Sequence, residues 1–335
     1  MGRVTSFDVA RLAGVSQPTV SRALRDLRGT SKATRARVRD AARALGYVPL
    51  QSGRLLSTRL SRRAGIVTGE FGNPFYPALI EPMIAALHQQ GYLSVVIPDD
   101  DVDALDPVPL VDGSLDGVIL TTVHRGSALP AELARHGVPC VLVNRETGEA
   151  GADASVAAND EGARQAARFL VGLGHTRIGF IGGLAETTTS HLRRAAFADE
   201  LHRLGRDLPP RLAVDGRYNL GHGRAGFARV MSARRPPTAV FCANDILALG
   251  ALEEAHALGL AVPGDVTIVG FDDMPLSALA TVGLTTVSVD LAQMGRTAVD
   301  LLLTRIASPG LPARREIHPT RLTRRATHAP PPPAA

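Results

Sequence analysis

Polar side chains that can hydrogen-bond to the edges of base pairs are grouped near the amino terminus. Gln17, Thr19, Ser21 and Arg22 follow one another within a single short segment. Glutamine and arginine make paired hydrogen bonds to adenine and guanine, whereas threonine and serine reach bases or phosphates. The chemistry that this group favours is therefore recognition of a DNA duplex.

Three short predicted helices would position these side chains. Each begins after a serine that can cap its amino end and buries one apolar stripe. The serine caps are Ser6, Ser16 and Ser31, and the inward-facing residues are Val9, Ala10, Leu12, Ala13, Val20, Leu24, Val38, Ala41, Ala42 and Leu45. Gly14 and Gly46 end the first and third helices. Pro18 is tolerated because it falls in a first helical turn. The pattern is typical of a helix-turn-helix module whose second helix enters the major groove.

The distribution of charge supports a polyanionic partner. The 335-residue chain has 37 Lys and Arg against 32 Asp and Glu, a formal net charge of +5. Residues 1–63 hold 14 basic and 3 acidic residues, which is +11, and the remainder holds 23 basic and 29 acidic residues, which is −6. Phosphates attract such a basic module whatever the base sequence. A three-helix domain that binds another protein is the alternative, and this charge argues against it.

Other classes of protein find little support. No apolar run reaches ~18 residues and the amino terminus lacks a signal-type apolar segment, so we expect a cytoplasmic protein without a membrane span. Cys140 and Cys242 cannot build a disulfide framework. The ten histidines lack metal-ligand spacing, and Asp99-Asp100-Asp101 lacks the glycine and glutamate of a calcium loop. Since a P-loop and a nucleophile elbow are also missing, we expect no metal, no cofactor and no enzymatic activity.

From residue 64 onward, short apolar runs alternate with amphipathic stretches. The apolar runs are 66–67, 93–97, 117–120, 140–143, 178–181, 239–242 and 266–269, and the helical stretches are 77–90, 161–173, 192–204, 221–232, 245–258 and 291–306. Such alternation predicts an α/β module with parallel sheets covered on both faces. About ten such units in some 250 residues fit two doubly wound subdomains better than one sheet. Ligands in this architecture bind outside the carboxyl ends of strands and between subdomains.

Several motifs in the first 49 residues follow one another without a gap. They are Val4-Thr5, Asp8-Val9-Ala10, Ala13-Gly14-Val15-Ser16, Thr19-Val20-Ser21-Arg22, Thr34-Arg35 and Gly46-Tyr47-Val48-Pro49. In this order they resemble the headpiece of the lac repressor (LacI/GalR) family of transcriptional regulators. The resemblance implies DNA contacts at Thr5, Ser16, Gln17, Pro18, Thr19, Ser21, Arg22, Arg25, Ser31 and Thr34. Sequence choice is implied for Gln17, Pro18 and Arg22, although Pro18 can offer only shape or apolar contact. Arg25 stands where the family usually has Asn and could add a phosphate contact.

The segment after this module has weak intrinsic structure, because Gly53 costs about 1 kcal/mol of helix stability relative to alanine. It resembles the family's hinge, which folds as a helix only on DNA. The resemblance implies contacts from Arg54 and Leu56, with Leu56 as a wedge in the minor groove that bends the duplex. Family hinges usually begin with Asn and carry Ala where this chain has Leu50 and Gly53. A flexible basic linker is the alternative.

Further motifs recur in order along the larger module. They are Asn73-Pro74-Phe75-Tyr76, Leu115-Asp116-Gly117-Val118-Ile119-Leu120, Val138-Pro139, Leu173-Gly174-His175-Thr176-Arg177-Ile178, Cys242-Ala243-Asn244-Asp245, Gly270-Phe271-Asp272-Asp273 and Leu284-Thr285-Thr286-Val287. They resemble the same family's effector domain, which is similar to periplasmic sugar-binding proteins. The resemblance implies a ligand cleft formed by Glu70, Phe75, Tyr76, Arg193, Tyr218, Asn244 and Asp272. Carboxylate, guanidinium and amide groups pair well with sugar hydroxyls, and aromatic rings pack on the C–H faces of sugars.

Each of these cleft residues also has a structural interpretation. The alternatives are a helix cap at Asn244 and Asp245, a turn at Asp272-Asp273, a surface charge at Arg193, and core packing at Phe75 and Tyr76. Two departures from the family bear on the ligand: Asn144 and Ala158 stand where Asp is common, which shifts the preference away from a plain neutral hexose. Between residues 98 and 116 the chain is shorter than usual and carries two prolines, so we expect no full amphipathic helix there.

The sequence therefore predicts a DNA-binding transcriptional regulator, a repressor, controlled by a sugar or related small molecule. We expect a homodimer on a near-palindromic double-stranded operator, and the absence of heptads in the tail favours a dimer over a tetramer. The predicted domains are a headpiece (1–46), a hinge (47–63), an effector domain (64–320) and a tail (321–335) with a disordered proline-rich end. Within the effector domain, the N lobe comprises 64–158 and 288–318 and the C lobe 159–287. The alternatives are a sugar receptor or transport protein, which leaves the basic headpiece unexplained, and a sugar kinase or isomerase.

Overall fold

A computed structural model describes residues 4–24, 26, 28–47, 60–69, 71–99, 105–148 and 151–333. The chain divides into two compact units, residues 1–61 and 62–335. The division falls inside the segment predicted as the hinge. Within the described ranges, none of the helices has the length and apolarity that a membrane crossing requires.

The first unit consists of three short helices. They are α1 (Ser6–Ala13), α2 (Gln17–Leu24) and α3 (Lys32–Ala44). Small apolar side chains form their common core, namely Val9, Ala10, Ala13, Val20, Ala23, Val38, Ala41 and Ala42. Gly14 ends α1 in the left-handed conformation, with φ 63°, which a glycine adopts without strain. Three helices with a glycine turn between the first two form the predicted helix-turn-helix arrangement.

Two local predictions for this unit were wrong. The amino cap of α1 is Thr5 rather than Ser6, because Asp8 accepts hydrogen bonds from the Thr5 backbone N–H at 2.9 Å and from Thr5 Oγ1 at 2.7 Å. Leu12 is 56% exposed, since it lies roughly 100° around the helix from the centre of the buried stripe. The cap of α3 is confirmed, with Ser31 Oγ accepting from the Thr34 N–H at 3.1 Å.

The second unit contains two six-stranded sheets. The strands of the first sheet are β1 (Arg63–Thr68), β2 (Leu93–Pro98), β3 (Gly117–Leu120), β4 (Cys140–Val143), β5 (Asp153–Ala157) and, from the end of the chain, a strand at Arg315–His318 called β11. Their order is β11-β5-β4-β3-β1-β2, and all pairs are parallel. The helices α4 (Phe75–Gln89), α5 (Val108–Val111) and α6 (Leu129–Arg135) connect them. We call this sheet and its helices the N lobe.

The second sheet and its helices form the C lobe. Its strands are β6 (Ile178–Ile181), β7 (Ala213–Val214), β8 (Ala239–Cys242), β9 (Thr267–Asp272), β10 (Thr285–Val289) and β12 (Thr320–Thr323). The order is β12-β10-β9-β8-β6-β7, parallel except for the antiparallel pair of β10 and β12. Its helices are α7 (Asn159–Gly172), α8 (Thr188–Arg203), α9 (Leu220–Met231) and α10 (Asp245–Ala257). Helix α11 (Leu291–Ala307) follows β10 but packs on the N lobe, against α4 and β5.

The strand sequences explain why both sheets are buried. The central strands β3, β4, β6 and β8 are buried along their whole length, as continuous apolar runs covered by helices on both faces require. In the C lobe, the rings of Phe180, Phe197 and Phe241 form one aromatic cluster with centroids 4.7–5.8 Å apart. Both cysteines are buried and free. In the N lobe, Gly295 lets α11 approach α4, since a Cβ there would lie 2.9 Å from the Leu79 carbonyl oxygen.

The structure of the tail differs from what the sequence predicts. Residues 321–323, which were predicted to lie outside the effector domain, belong to β12 on the edge of the C-lobe sheet. The disorder expected for the proline-rich end does not hold for the described residues up to 333. The Ala329 carbonyl accepts hydrogen bonds from His175 Nε2 and from Thr267 Oγ1, both at 3.0 Å. Because β12 and these two buried donors fix the tail, it belongs to the C lobe.

The chain crosses between the lobes at three single residues. Ala158 joins β5 to α7, Asp290 joins β10 to α11, and Pro319 joins β11 to β12. Between residues 105 and 116 the structure contains only the single helical turn of α5, in line with the expectation that no full helix forms there. One cavity between the lobes lies at the carboxyl ends of β4, β8 and β9, and Asn144, Asn244 and Asp272 line it there.

Candidate ligand cleft and nucleic-acid interface

The cavity between the lobes brings together the predicted ligand-binding residues that the structure describes. Those that line it are Phe75, Tyr76, Arg193, Tyr218, Asn244 and Asp272. Glu70, the remaining prediction, lies outside the described residues. The space among the lining side chains, including the part that is open to solvent, is about 240 Å³. This space is small and is partly open to solvent.

The aromatic side of the cavity is built by the start of α4. Asn73 begins the helix by accepting the Phe75 N–H on Oδ1 at 3.1 Å. The rings of Phe75 and Tyr76 meet edge to face with centroids 5.3 Å apart. Both side chains are buried and belong to the hydrophobic core of the unit. Phe75 and Tyr76 therefore both pack in the core and line the cavity.

Arg193 is fixed on every side. Its Nε donates to Asn159 Oδ1 at 2.8 Å and its Nη1 donates to the Ala243 carbonyl at 2.5 Å. The Asp272 carboxylate lies 3.1 Å from Nη2, and the guanidinium stacks 3.6 Å from the centroid of the Phe271 ring. Arg193 is only 3% exposed, so the surface-charge alternative is wrong. A guanidinium held in this way offers a pre-oriented donor edge without ordering a flexible side chain.

Asp272 ends β9 in an unusual backbone conformation. Its φ is 110° and that of Asp273 is 58°, which side chains other than glycine adopt only at a cost of roughly 1–3 kcal/mol each. Burial raises the pKa of Asp272 to about 7, although the nearby Arg193 lowers it and Asp245 raises it further. Among the described residues, Asp272 Oδ1 has no aligned hydrogen-bond donor. The carboxyl group can therefore accept a hydrogen bond from a ligand.

Asn244 and Asp245, which lie at the start of α10, have separate tasks. Asn244 caps α10, accepting the Leu247 N–H on Oδ1 at 3.1 Å, and it also lines the cavity. Asp245 is not the cap. It accepts from the Met274 N–H at 2.8 Å, from Ser277 Oγ at 2.6 Å and from Thr286 Oγ1 at 2.5 Å. Burial raises the pKa of Asp245 to about 6, and Asp245 braces the loop that follows Asp272.

Tyr218 closes the cavity from the C lobe. A Cβ on Gly183 would overlap its ring, so glycine is needed for the ring to lie where it does. Arg145 of the N lobe faces this ring, with the guanidinium carbon 5.6 Å from the ring centroid. Nearby, the Arg125 N–H donates to the Glu186 carbonyl and the Glu146 N–H to Thr188 Oγ1, both at 2.9 Å. These contacts hold the two lobes together beside the cavity.

Four further residues line the cavity that were not among the predicted ligand-binding residues, although Asn144 was noted as a departure from the family that bears on the ligand. They are Asn73, Asn144, Arg145 and Thr189. Asn73 lies within the motif that contains Phe75, and Asn144 and Arg145 directly follow β4, so their positions at a strand's carboxyl end gave a usable signal. Thr189 lies near the start of α8 and nothing in its sequence context indicated it.

Most of the predicted DNA contacts that the structure describes lie at the amino ends of the three headpiece helices, and Ser21 and Arg22 lie in the second half of α2. Thr5, Ser16 and Ser31 each immediately precede a helix, and all three are exposed. On α2, Pro18 and Arg22 are exposed and one turn apart, while Gln17, Thr19 and Ser21 are half-buried, as is Thr34 on α3. Gln17 Nε2 donates to Ser6 Oγ at 3.3 Å, and Ser16 Oγ lies 2.9 Å from Thr19 Oγ1. Arg25, Arg54 and Leu56 lie outside the described residues.

The charge of this unit remains largely unneutralised. Each of its three acidic residues already has an arginine partner, in the pairs Asp8–Arg11, Asp26–Arg39 and Asp40–Arg43. Among the described residues, Arg22, Arg28, Lys32 and Arg37 form no ion pair. Cations without internal partners are available to phosphates, and a helix amino terminus is a further site for a phosphate group.

Comparison with known proteins follows this division of the chain. Residues 7–50 match the bacterial regulatory proteins of the lacI family, and residues 167–328 match the periplasmic binding protein-like domain. The HTH-type transcriptional repressor CytR of Escherichia coli (strain K12) is 34% identical over 307 residues, which cover 89% of each chain.

Two solved structures extend the likeness over nearly the whole chain. The lac repressor dimer bound to operator and the anti-inducer ONPF has a TM-score of 0.85 at 26% identity and covers 98% of this chain and 100% of its own. The complex of the transcriptional regulator CelR with cellobiose has a TM-score of 0.75 at 30% identity and covers 97% and 100%. The chain belongs to the lacI family of bacterial regulatory proteins, which confirms the family and the fold class predicted from the sequence. In the described part of the chain, no group of three His, Cys, Asp or Glu residues is arranged to hold a metal ion.

Proposed function

We propose that the protein is a transcriptional repressor whose affinity for a near-palindromic operator is set by a small polyhydroxylated ligand in the cleft. The observation that carries this proposal is the convergence of Phe75 and Tyr76 of the N lobe with Arg193, Asn244 and Asp272 of the C lobe on one cavity. The same chain carries a basic helix-turn-helix unit, so one molecule holds both a sensor and a DNA-binding module.

The chemistry of the cavity favours a ligand with several hydroxyl groups. Asp272 accepts hydrogen bonds, Arg193 donates them and Asn244 does both, so adjacent hydroxyls can be bound in both of their roles. The rings of Phe75 and Tyr218 provide apolar surfaces for the C–H faces of a sugar ring. The bound cellobiose of the related CelR complex is in keeping with this class. Sugars, polyols and nucleosides all carry the required hydroxyl pattern.

On DNA, we assign the recognition of bases to α2. Arg22 is exposed on that helix and can make paired hydrogen bonds to guanine, whereas Gln17 must release Ser6 before it can reach an adenine. Thr5, Ser16 and Ser31 are assigned to phosphates, since each adjoins the positive end of a helix. Two protomers, each reading one half-site, account for a near-palindromic operator. The dimer architecture of the related lac repressor bound to operator supports this arrangement.

Ligand control follows from the cleft's position between the lobes. A ligand that binds one relative orientation of the lobes better than another shifts the equilibrium toward that orientation. Allosteric coupling typically amounts to roughly 1–3 kcal/mol, which would change operator affinity about 5- to 150-fold. We assign a cytoplasmic location, where operator DNA is found, and no catalytic activity. Both assignments are in keeping with the related repressors.

A thermal-shift screen tests the ligand proposal, because a ligand that binds only the folded protein raises its melting temperature. The probes are D-ribose, cellobiose, sorbitol, adenosine and uridine. The test variant is Arg193→Met and the matched control is Arg194→Met, whose arginine is next in sequence and pairs with Asp215 instead. We expect Arg193→Met to lose the thermal shift and keep operator binding, and the control to keep both. A variant at Arg193 that binds the same probe with unchanged affinity contradicts the assignment of the cleft.

A further inference from the structure

The tail of the chain contacts the turn that ends β9. After β12, Arg325 Nη2 donates to Asp273 Oδ1 at 2.6 Å, and Nη1 donates to the Leu284 carbonyl at 2.8 Å. The Arg325 backbone N–H donates to Thr285 Oγ1 at 2.9 Å. Arg325 is thus tied at three points, and one of them is the residue next to Asp272.

The turn at Asp272 and Asp273 needs contacts with its surroundings to keep its conformation. Asp272 and Asp273 are consecutive non-glycine residues with positive φ. Such a conformation persists only where several contacts with neighbouring groups hold the backbone in place. On the inner side, Asp245 holds the next residue through the Met274 N–H at 2.8 Å. On the outer side, Arg325 is the only cation within ion-pair distance of Asp273 among the described residues.

We propose that Arg325 is a positioning residue for ligand binding, which fixes Asp273 and thereby holds the Asp272 carboxyl group toward Arg193 in the cleft. This inference rests on the proposed function of the cleft. If the Arg325–Asp273 contact is removed, the turn is held from one side only and can relax toward ordinary backbone angles. Such a relaxation rotates the adjoining Asp272 away from Arg193 and from the ligand, although Arg325 itself does not contact the cavity.

The neighbouring arginine provides a matched control. The Arg324 guanidinium carbon lies 5.1 Å from the centroid of the Phe169 ring and takes no part in the Asp272–Asp273 turn. Both arginines lie in the same tail segment and carry the same charge. A general loosening of the tail should therefore follow from either substitution, whereas a positioning effect should follow from the loss of Arg325 alone.

The experiment uses the full-length protein and the variants Arg325→Gln, Arg325→Lys, Arg324→Gln, Asp273→Asn and the double variant Arg325→Gln with Asp273→Asn. Amide hydrogen exchange over residues 271–277 reports on the turn without any ligand. Titration with the same five probes as above reports on the cleft. We expect Arg325→Gln and Asp273→Asn each to speed exchange in this segment and to raise the dissociation constant of the bound probe about tenfold. The double variant should be no worse than either single one, Arg325→Lys should recover most of the affinity, and Arg324→Gln should match the wild type.

Three outcomes overturn the proposal: unchanged exchange in Arg325→Gln, faster exchange without loss of probe affinity, or equal effects from Arg324→Gln. Asp273→Asn keeps the tail's own contacts to Leu284 and Thr285, so it tests the contact even where Arg325→Gln fails to fold. If none of the five probes stabilises the wild type, the proposed function fails for these classes of ligand. The exchange data then still decide whether Arg325 holds the turn.

Discussion

The buried carboxyl group of Asp272 makes the stability of the effector domain depend on pH. In the folded protein its pKa is raised from 3.8 to about 7, chiefly by burial. The folded protein therefore holds the proton of this carboxyl group up to a higher pH than the unfolded chain does. We predict that replacing Asp272 with asparagine, which is neutral at every pH, removes this contribution.

Proton linkage determines the sign and the size of the contribution of Asp272 to stability. The unfolded chain releases the proton near pH 4 and the folded protein near pH 7, so the wild type loses stability as the pH rises between these values. The difference between 3.8 and about 7 corresponds to about 4 kcal/mol. For a domain of this size, that loss lowers the melting temperature by roughly 10 °C. Burial also raises the pKa of Asp245 to about 6. Because the charge of Asp245 raises the pKa of Asp272, the two carboxyl groups titrate as a coupled pair, and the comparison measures the effect of removing Asp272 from that pair.

The assay is the melting temperature of the ligand-free protein from pH 4 to pH 8, for the wild type, Asp272→Asn and the control Asp300→Asn, whose side chain is exposed. We expect the wild-type melting temperature to fall relative to that of Asp272→Asn as the pH rises. The curve of Asp300→Asn should run parallel to that of the wild type. Parallel curves for the wild type and Asp272→Asn would refute the argument that a buried, imperfectly compensated carboxyl group lies in the cleft.

Three further predictions concern the DNA-binding helix α2, the ligand cleft and the number of protomers on the operator. Arg22→Ala should weaken specific operator binding by about 1–3 kcal/mol and Arg43→Ala, at the far end of α3, by much less. A footprint of unchanged specificity for Arg22→Ala would remove its base-reading role. Gly183→Ala should displace the Tyr218 ring and weaken ligand binding at least tenfold in calorimetry while sparing operator binding, and wild-type affinity would show that the ring does not close the site. Sedimentation of the protein on operator DNA should give two protomers per duplex, and one protomer per duplex would contradict the two-half-site arrangement.

Periodicity and motif order were enough to predict the fold class and most of the helices. The apolar runs at 117–120, 140–143, 178–181 and 239–242 coincide with β3, β4, β6 and β8, because strands buried on both faces must be apolar throughout. Two of the edge strands, β11 and β12, lack this signal. The β11 and β12 strands carry charged and polar side chains, and only their pairing with β5 and β10 reveals them.

In the cleft, too, the sequence predicts single residues better than it predicts the contacts between them. Arg193 and Asp272 were found through motifs, but their mutual 3.1 Å contact depends on packing that brings α8 and the end of β9 together. The alternatives weighed for single residues proved not to exclude one another, since Asn244 both caps α10 and lines the cavity. The role of Asp245 as an internal brace, and the reach of Arg325 across to Asp273, involve residues far apart in the sequence. No local pattern predicts such contacts.

The most direct test of the account is operator affinity with and without the ligand. Fluorescence anisotropy with a labelled duplex from the region upstream of the protein's own gene, at two salt concentrations, gives the dissociation constant and the number of phosphate contacts. We expect a salt-dependent affinity that changes about 5- to 150-fold when the probe that raises the melting temperature is added, and no such change in Arg193→Met. An operator affinity that stays the same with the cleft filled would contradict the claim that the cavity controls the DNA-binding unit.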